Sequence, residues 1–404
     1  MTVCIIGGGA AGMMAALTAA ECGHRVLLLE RQSRVGRKLL ATGNGRCNLT
    51  NRHASPAHYH GEEDGFCTYA LSAFDVDATL QWFGEKGLVT VTEDSGRVYP
   101  YSNMAGSVLD VLRYALEREA IDLRTGCTVS RIRRRGDGFT VETDLGSFSA
   151  DKVILAAGGA AGSKVGGVMD GYQLAKQLGH HRTALYPSLV QLKTDPTYPR
   201  ALKGVKAEAG ITVRRGAEVV TEGRGEILFT EYGVSGPAIF DISRAVSAGG
   251  DGLTVELDFL PDWDDSATAN WLRQQRDIAA SREAGTLLTG TLHSRLGQMV
   301  CKASGFTTQS ADSLTDGDLK RIAKHLRAFT LPVLGVCGFD QAQVTAGGLR
   351  TDEFDPQTMQ SKLVPNRYAC GEVLDIDGDC GGYNLQWAWS SGRCAGLHAG
   401  KESV

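Results

Sequence analysis

The residues with the clearest chemical meaning stand near the start of the chain, in the run GGGAAG at positions 7–12. Gly7, Gly9 and Gly12 fit the pattern G-x-G-x-x-G. In such a turn the first glycine permits a tight bend, the second lets the backbone approach a diphosphate, and the third lets the following helix pack closely. Glu30 follows 18 residues after Gly12, where a carboxylate can accept both ribose hydroxyls of an adenosine. The pattern predicts a dinucleotide site.

A second set of charged residues lies in the segment 36–51, GRKLLATGNGRCNLTN, which reads as an unusually long loop. Long ordered loops are usually functional, and Arg37, Lys38 and Arg46 could stabilise a dianionic diphosphate. The alternative is that these are solvated loop charges. Cys47 is the only cysteine in such a segment and lacks the nearby partner of a disulfide reductase, so a redox-active thiol is disfavoured.

Two motifs near the end of the chain complete the predicted site. A short apolar strand ends in Gly371-Glu372, where many flavoproteins place a carboxylate against the ribityl hydroxyls. Gly381 and Gly382 precede a helix, whose N-terminus would stabilise the negative charge of a reduced flavin. Trp387 and Trp389 on this helix are more simply core residues. We therefore expect the C-terminal segment to fold back and seat the flavin of FAD.

The elements that must position these residues follow a βαβ order at the start of the chain. Apolar runs and helical periodicity predict strands at 2–6, 25–29, 127–133, 138–143 and 152–157 and helices at 10–22 and 107–120. From Pro187 the chain reads as short strands, and 264–330 reads as helical, with Ser313 or Thr315 as the cap of a helix. Near residue 340 the sequence again becomes glycine-rich, as in the first part of the chain. The predicted division is 1–186, first part of a cofactor domain; 187–262, an inserted β-rich domain; 263–337, a helical cap; and 338–404, the second part of the cofactor domain.

Composition restricts the classes of function. The 404 residues suit two or three domains, and a net charge of -4 gives no basic field, so we expect no nucleic acid partner. The uncharged stretch 3–20 approaches the length of a membrane helix, but glycines interrupt it, so no membrane span is expected. The ten cysteines include no CxxC pair, which favours reduced thiols in a cytoplasm.

Three further patterns favour plain structural roles. His53, His58 and His60 lie in one loop without an obvious supporting carboxylate, so no metal site is expected. The run GGAAG at 158–162 lacks the downstream acid of a second nucleotide unit and is interpreted as a turn lining the first cofactor. The basic run 131–135 is most simply a solvated strand edge.

Taken together, these residues resemble the HI0933-like flavoprotein family, also called BaiN-like or aminoacetone oxidase-like FAD enzymes. The stretches that carry the resemblance are IIGGGAAGMMAA, GRKLLATGNGRCNLTN, GRVYPYSNMAGSVLDVL, YPSLVQL, GEILFTEYGVSGPAIFDIS, TAGGL and TMQSKLVPNRYACGEVLDIDGDCGGYNLQWAWSSG. The resemblance implies an α/β fold: a Rossmann-like, three-layer, glutathione-reductase-like FAD-binding domain with inserted β-barrel-like and small helical domains. Two departures are that Glu231 stands where His is common and Asn366 where Gly is common.

The resemblance also implies which residues meet the cofactor. Ala11, Gly12 and Glu30 would contact the ADP half; Lys38, Leu39, Asn44 and Cys47 would lie along the diphosphate and flavin; Val129 would touch the adenine through its backbone; and Glu372, Asn384 and Leu385 would contact the ribityl chain or the ring. The full predicted cofactor-binding set is Gly7, Gly9, Ala10, Ala11, Gly12, Glu30, Arg31, Arg37, Lys38, Leu39, Gly43, Asn44, Cys47, Val129, Ala157, Gly158, Gly371, Glu372, Gly382, Asn384 and Leu385.

The function implied is that of an FAD-dependent oxidoreductase. Our first hypothesis is a reductase that uses NAD(P)H, as a transient electron donor, to reduce an activated C=C bond of a small hydrophobic substrate. A side-chain acid would protonate the product, with Tyr101, Glu231, Tyr232 and Tyr383 as candidates that each also have a structural interpretation. The alternatives are an oxygen-dependent amine oxidase and an RNA-associated or scaffold flavoprotein.

Overall fold

The computed structural model describes residues 1–119 and 121–400. The chain forms two compact units, the first made of Met1–Pro187 with Phe339–Val404 and the second of Ser188–Gly338. Among the described residues, no helix combines the length and the apolar character needed to cross a bilayer. The first unit contains every cleft-lining residue discussed below.

Along the chain, the helices and strands of the first unit flank those of the second. Up to the second unit they are β1 (Thr2–Ile6), α1 (Ala10–Glu21), β2 (Arg25–Glu30), α2 (Arg37–Ala41), β3 (Thr50–Asn51), β4 (Tyr59–His60), α3 (Thr68–Ala73), α4 (Val76–Glu85), β5 (Thr90–Thr92), β6 (Arg97–Pro100), α5 (Ala105–Arg118), β7 (Asp122–Thr125), β8 (Val129–Arg135), β9 (Gly138–Thr143), β10 (Gly146–Ala150), β11 (Lys152–Leu155), α6 (Asp170–Lys176) and β12 (Tyr186–Ser188). Then come β13 (Leu192–Thr194), β14 (Lys206–Arg215), β15 (Glu218–Phe229), β16 (Gly233–Ser235), α7 (Pro237–Gly249), β17 (Leu253–Asp258), α8 (Asp265–Ala279), α9 (Ser294–Ala303), α10 (Asp316–Arg327) and β18 (Phe329–Val336). The chain closes with β19 (Val344–Ala346), β20 (Arg367–Ala369), β21 (Asp377–Gly378) and α11 (Tyr383–Ala399).

A five-stranded parallel sheet forms the core of the first unit, in the order β20-β11-β1-β2-β7. The apolar run of β1 occupies its centre, where Cys4 pairs with Val153 on one side and Leu27 on the other. Strands buried on both faces read as continuous apolar runs, which is why the sequence revealed them. β20 adds the C-terminal part of the chain at one edge, beside β11. The predicted Rossmann-type fold is confirmed.

Helices α1 and α11 pack against each other through small residues. A Cβ atom on Gly392 would lie 2.5 Å from the Ala11 carbonyl oxygen, and one on Gly396 would lie 2.6 Å from that of Ala15. Only residues without side chains allow backbones to approach so closely. Both indoles of α11 are buried and hydrogen-bonded, Trp387 to the Gly371 carbonyl and Trp389 to the Leu49 carbonyl, which supports the core role expected of them.

The second unit contains a closed barrel with strand order β13-β16-β15-β14-β17-β18. Along β14 and β17 buried residues alternate with more exposed ones, the inward set including Ile211, Val213, Val255 and Leu257. Between β17 and β18 lie α8, α9 and α10. Thr315 caps α10 in a capping box with Asp318, so of the two predicted caps Thr315 is the correct one.

Two predicted boundaries are wrong. The helical region was expected over 263–337, but Phe329–Val336 is a strand that pairs with β17 and β13 and closes the barrel. The segment 36–51 was expected to be a loop, but it begins with α2 and ends in β3. In both places a short element is decided by its partner strand or by packing, which local composition does not reveal.

Candidate functional site

A cleft opens at the carboxyl ends of β1, β2 and β11, the position at which parallel α/β sheets bind ligands. Of the predicted cofactor residues, those that line it are Gly7, Gly9, Glu30, Arg31, Arg37, Lys38, Val129, Ala157 and Gly158. Thus residues from the N-terminal motif, the cationic segment, the β8 strand and the turn after β11 meet in one place. The run 158–162 contributes Gly158 and Gly159 to this wall, in line with its interpretation as a turn at the first cofactor.

The three glycines of the first motif have different physical duties. Gly7 adopts a φ of 109°, and a Cβ there would lie 2.3 Å from the Ala156 carbonyl oxygen. A Cβ on Gly12 would lie 1.9 Å from the Gly7 carbonyl oxygen. A Cβ on Gly9 would meet no protein atom within 4 Å. Gly7 and Gly12 are therefore required by packing, whereas Gly9 leaves open space at the N-terminus of α1, where a diphosphate fits.

Glu30 is held by the turn that it faces. Its Oε2 accepts a hydrogen bond from the Gly8 amide at 2.7 Å, and its Oε1 accepts one from the Gln32 amide at 2.6 Å. Each carboxylate oxygen has two acceptor sites, so both can still accept a ribose hydroxyl. The sequence motif anticipates the ribose role but not this anchoring role.

An ion pair joins the two parts of the first unit beside the cleft. Lys38 Nζ lies 2.6 Å from Glu372 Oε2, and Glu372 Oε1 accepts a hydrogen bond from the Thr345 amide at 3.0 Å. A Cβ on Gly159, which lines the cleft, would lie 2.7 Å from the same Oε1. Glu372 therefore stands immediately behind the cleft wall, close to where the ribityl contact was expected.

The two arginines of this segment behave differently from each other. Arg37 donates to the Gln32 side chain at the cleft. Arg46 does not line the cleft; it pairs with Glu93 at 2.7 Å and lies 3.9 Å over the Tyr99 ring. The hydrogen bond from Arg46 to Glu93 raises the pKa of Arg46. Arg46 is thus held by Glu93 and Tyr99, and its contact with a diphosphate stays a prediction.

Several residues of the predicted cofactor-binding set do not line the cleft, and their contact with the cofactor stays a prediction. Ala10, Ala11 and Gly12 form the first turn of α1, and the remaining members outside the lining are Leu39, Gly43, Asn44, Cys47, Gly371, Glu372, Gly382, Asn384 and Leu385. Asn44 and Cys47 have φ values of 55° and 60° and shape the turn after α2. Cys47 is fully buried, and burial raises the pKa of its thiol to about 12, so it is not a reactive thiolate.

The start of α11 is built around backbone contacts. Gly382 caps the helix with a φ of 104°, and a Cβ there would lie 2.5 Å from the Thr50 carbonyl oxygen. The Asn384 side chain accepts from the Gly378 amide at 2.9 Å and donates to the Gly378 carbonyl at 2.7 Å. Asn384 thus holds the loop before the helix, which the sequence did not indicate.

Asn48 is a candidate that sequence reasoning missed. Its Oδ1 is buried without a hydrogen-bond partner among the described residues, and it would lie 2.8 Å from a Cβ on Gly382. Buried acceptors are normally satisfied, and a flavin ring carries one N–H donor. The only signal for it was its place beside Cys47 in the motif GRCNLTN.

The four candidate acids are dispersed. Tyr101 is 74% exposed, whereas Tyr383 is buried in the first turn of α11, where it stacks on His58. Glu231 and Tyr232 belong to the second unit. Glu231 pairs with Lys203 at 2.8 Å, and that hydrogen bond lowers its pKa, while burial raises the pKa of Tyr232.

Comparison with known proteins agrees with this geometry. The model of the HI0933-like protein Rossmann domain matches residues 1–398. The 3-dehydro-bile acid delta(4,6)-reductase of Clostridium scindens is 37% identical over 98% of both chains. The chain belongs to the HI0933-like family. As a member, it is an FAD-dependent oxidoreductase, and the glycine turn, the Glu30 carboxylate and the orphaned Asn48 acceptor fit that cofactor.

Other HI0933-like relatives carry a different name. The ribosomal RNA dihydrouridine synthase of Escherichia coli is 31% identical over 96% of this chain and 95% of its own. That of Haemophilus influenzae is 27% identical over 98% of both. Among solved structures, the 3-ketosteroid-delta4-(5alpha)-dehydrogenase of Rhodococcus jostii is 14% identical with a TM-score of 0.49, covering 99% of this chain and 96% of that one, which is a loose likeness.

Proposed function

We propose that this protein is an NAD(P)H-linked reductase that saturates a C=C bond conjugated to a carbonyl group in a small hydrophobic substrate. The observation that carries the proposal is the 37% identity to the bile acid delta(4,6)-reductase over nearly the full length of both chains. The name of that relative specifies reduction in a steroid-type skeleton, which is rigid and largely apolar.

Different residues of the first unit would hold different parts of FAD. When bound, FAD supplies a two-electron carrier between a nicotinamide and the double bond. In our proposal the amides at the start of α1 bind the diphosphate, and Glu30 binds the ribose. Val129 adjoins the adenine. Lys38 and Glu372 lie along the diphosphate and the ribityl chain. The N-terminus of α11 stabilises negative charge that develops on reduction.

A second candidate substrate is a uracil base in RNA. Two relatives are named ribosomal RNA dihydrouridine synthases, and the double bond of uracil that such an enzyme saturates is also conjugated to a carbonyl. On this chain Arg131, Arg134 and Arg135 are exposed along β8. The net charge of -4 opposes a large polyanion, so the small hydrophobic substrate remains the first choice.

Anaerobic stopped-flow spectroscopy of the purified holoenzyme tests these possibilities. We expect NADH or NADPH to bleach the flavin absorbance and 4-androstene-3,17-dione to restore it, with the saturated ketone identified by mass spectrometry. Restoration by a uridine-containing RNA in place of the steroid would establish the second candidate. Bleaching by aminoacetone followed by rapid peroxide release in air would establish an amine oxidase and contradict both reductase proposals.

We also propose a reducing, cytoplasmic location. No disulfide joins any of the ten cysteines, all of which lie among the described residues, and most of them are buried, as is usual where glutathione keeps thiols reduced. Alkylation of the denatured protein, isolated without reductant, should label all ten thiols. Labelling in pairs only after reduction would contradict this location.

A further inference from the structure

Two histidines share one carboxylate at the start of α11, away from the residues that line the cleft. Nδ1 of His58 lies 2.9 Å from Asp379 Oδ2, and Nε2 of His60 lies 2.8 Å from Asp379 Oδ1. An ionised carboxylate only accepts hydrogen bonds. The two imidazoles must therefore be opposite tautomers when neutral, with the proton on Nδ1 in His58 and on Nε2 in His60.

This trio is fixed to the first turn of α11 by several independent contacts. The His58 ring stacks on Tyr383 with centroids 4.5 Å apart. The Asp379 amide donates to the His58 carbonyl at 3.1 Å, and His60 pairs with Asp377 where β4 meets β21. Asn384 holds the neighbouring Gly378 by both its amide and its carbonyl. The trio is therefore connected to residues proposed to lie at the flavin.

The charge state of the trio suits proton transfer. Burial alone would raise the pKa of Asp379, but hydrogen bonds from His60 and His58 outweigh it and lower that pKa. The carboxylate is thus ionised near neutral pH and accepts one N–H group from each imidazole. The side chains of His58, His60 and Asp379 are 34%, 39% and 30% exposed, so they can exchange protons with water.

The surrounding ionisable groups do not compete for this role. Tyr59 donates its hydroxyl to the Tyr383 carbonyl at 3.0 Å, and burial raises its pKa well above the ordinary value. Tyr383 presents its ring to His58. Asp375 and Asp377, which precede Gly378 in the chain, are buried, and the Asp375 carboxylate accepts a hydrogen bond from the Glu62 amide at 3.0 Å.

We propose that His58 is the proton donor of the reduction, with Asp379 and His60 as positioning residues; this rests on the function proposed above. Nδ1 of His58 is hydrogen-bonded to Asp379, so the donor is Nε2 of the imidazolium form, in which both ring nitrogens carry a proton. FAD, when bound, would pass the hydride of NAD(P)H to one carbon of the double bond, and the π electrons would move toward the conjugated carbonyl. The other carbon then takes the Nε2 proton: an N–H bond breaks, a C–H bond forms, and water reprotonates the imidazole.

The test separates the two halves of the catalytic cycle. His58→Gln and Asp379→Asn are compared with His53→Gln, since His53 is an exposed histidine of the same segment whose ring lies beside Gly96. Holoenzyme is reduced photochemically without oxygen and mixed with 4-androstene-3,17-dione over a range of pH. For His58→Gln we expect flavin reoxidation about 10²–10⁴-fold slower, the usual contribution of a positioned acid. Its reduction by NAD(P)H should be unchanged.

Two further readouts exclude a merely structural effect. Asp379→Asn should slow flavin reoxidation as His58→Gln does while leaving reduction by NAD(P)H unchanged, because the His58 imidazole loses the carboxylate that orients it. In ¹⁵N spectra of the FAD-free protein, His58 should carry its proton on Nδ1 and His60 on Nε2, and Asp379→Asn should abolish this assignment.

The outcomes distinguish this inference from the proposed function. If His58→Gln reoxidises at the rate of His53→Gln with the wild-type pH profile, the donor role is wrong while the reductase proposal stands. If the reduced wild-type protein is reoxidised by no conjugated carbonyl compound, the reductase proposal is wrong and the donor role falls with it. Identical tautomers for His58 and His60 would contradict the shared-carboxylate geometry itself.

Discussion

Glu30 shows how one side chain can both build a site and serve it. Its carboxylate accepts hydrogen bonds from the backbone amides of Gly8 and Gln32. These bonds form within the protein and need no ligand. Hydrogen bonds to charged groups contribute about 1.5–3 kcal/mol each. We therefore expect Glu30→Ala to weaken FAD binding about 10–100-fold, since both the ribose contact and the shape of the glycine turn are lost. Titration of the apoprotein with FAD, followed by flavin fluorescence, measures this change.

Glu30→Gln provides the matched comparison. A glutamine retains one acceptor oxygen and can hold one of the two amides, so its FAD affinity should lie between those of wild type and Glu30→Ala. Wild-type affinity in Glu30→Ala would show that the ribose is held elsewhere.

His180 gives the first unit a predictable response to acid. Its Nδ1 lies 2.7 Å from Glu353, its Nε2 lies 2.9 Å from Ser361, and its ring stacks on Phe354. Burial, assisted by the charge of Arg367, lowers the pKa of His180 from 6.5 to about 4. Between these values the unfolded chain binds a proton that the folded chain does not, so stability should fall as pH falls through this window.

Urea unfolding at a series of pH values tests this response. His180→Gln removes the titrating group and should make the decline from neutral pH to about pH 4 shallower. His181→Gln is the control, because His181 also binds Glu353 but its side chain is 75% exposed. Equal slopes in wild type and His180→Gln would rule out the proposed origin of the acid sensitivity.

Sequence reasoning predicted the site residues whose partners are close in the sequence. It missed the interactions whose partners are far apart in the sequence. Gly7, Gly9 and Glu30 lie within one βαβ unit, so spacing alone placed them together. The bond between Lys38 and Glu372 and the bonds of His58 and His60 to Asp379 cross more than 300 residues. His58 and His60 were set aside for want of a carboxylate, which the fold supplies from the far end of the chain.

At the N-terminus of α1, Gly12 is needed for packing, whereas we propose that Gly9 is needed for cofactor binding. Gly12→Ala would place a carbon 1.9 Å from the Gly7 carbonyl oxygen, and such overpacking costs about 1–3 kcal/mol. Gly9→Ala adds the same methyl group where no protein atom lies within 4 Å, at a φ of -80° that alanine adopts freely. Gly9→Ala should therefore fold as well as wild type but bind FAD at least about tenfold more weakly.

Thermal unfolding and FAD titration of both apoproteins decide this prediction. Gly12→Ala should lose stability before any cofactor is added, whereas Gly9→Ala should show its defect only on titration. A Gly9→Ala protein with wild-type affinity would mean that the diphosphate does not lie at the N-terminus of α1.

Elements defined by periodicity were predicted well, and elements defined by a partner were not. Continuous apolar runs predicted the buried strands β1, β2 and β11. Apolar residues at helical spacing predicted the helices α1 and α5. β18, eight residues within a region read as helical, is a strand because β17 and β13 lie beside it. α2 has only five residues, too few for a periodic signal.

For the whole molecule, the second unit is an insertion between two parts of one cofactor fold. Every residue that lines the cleft belongs to the first unit, and β12 pairs with β19 on either side of the insertion. Replacing 188–338 by a short glycine-serine linker should therefore give a folded protein with close to wild-type FAD affinity. The same shortened chain carrying Gly9→Ala is the control for specific binding. A colourless, unfolded product would show that the second unit is required for the first to fold.

The packing of α11 on α1 has a consequence for synthesis on the ribosome. β1 and α1 are translated several hundred residues before β20 and α11, the edge strand and the covering helix of the same core. Until α11 is made, the backbone of α1 at Ala11 and Ala15 lacks the glycines Gly392 and Gly396 that pack against it. Nascent chains should thus acquire FAD only once α11 has left the ribosome, and premature stop codons anywhere before 367 should yield aggregation-prone fragments that bind no flavin.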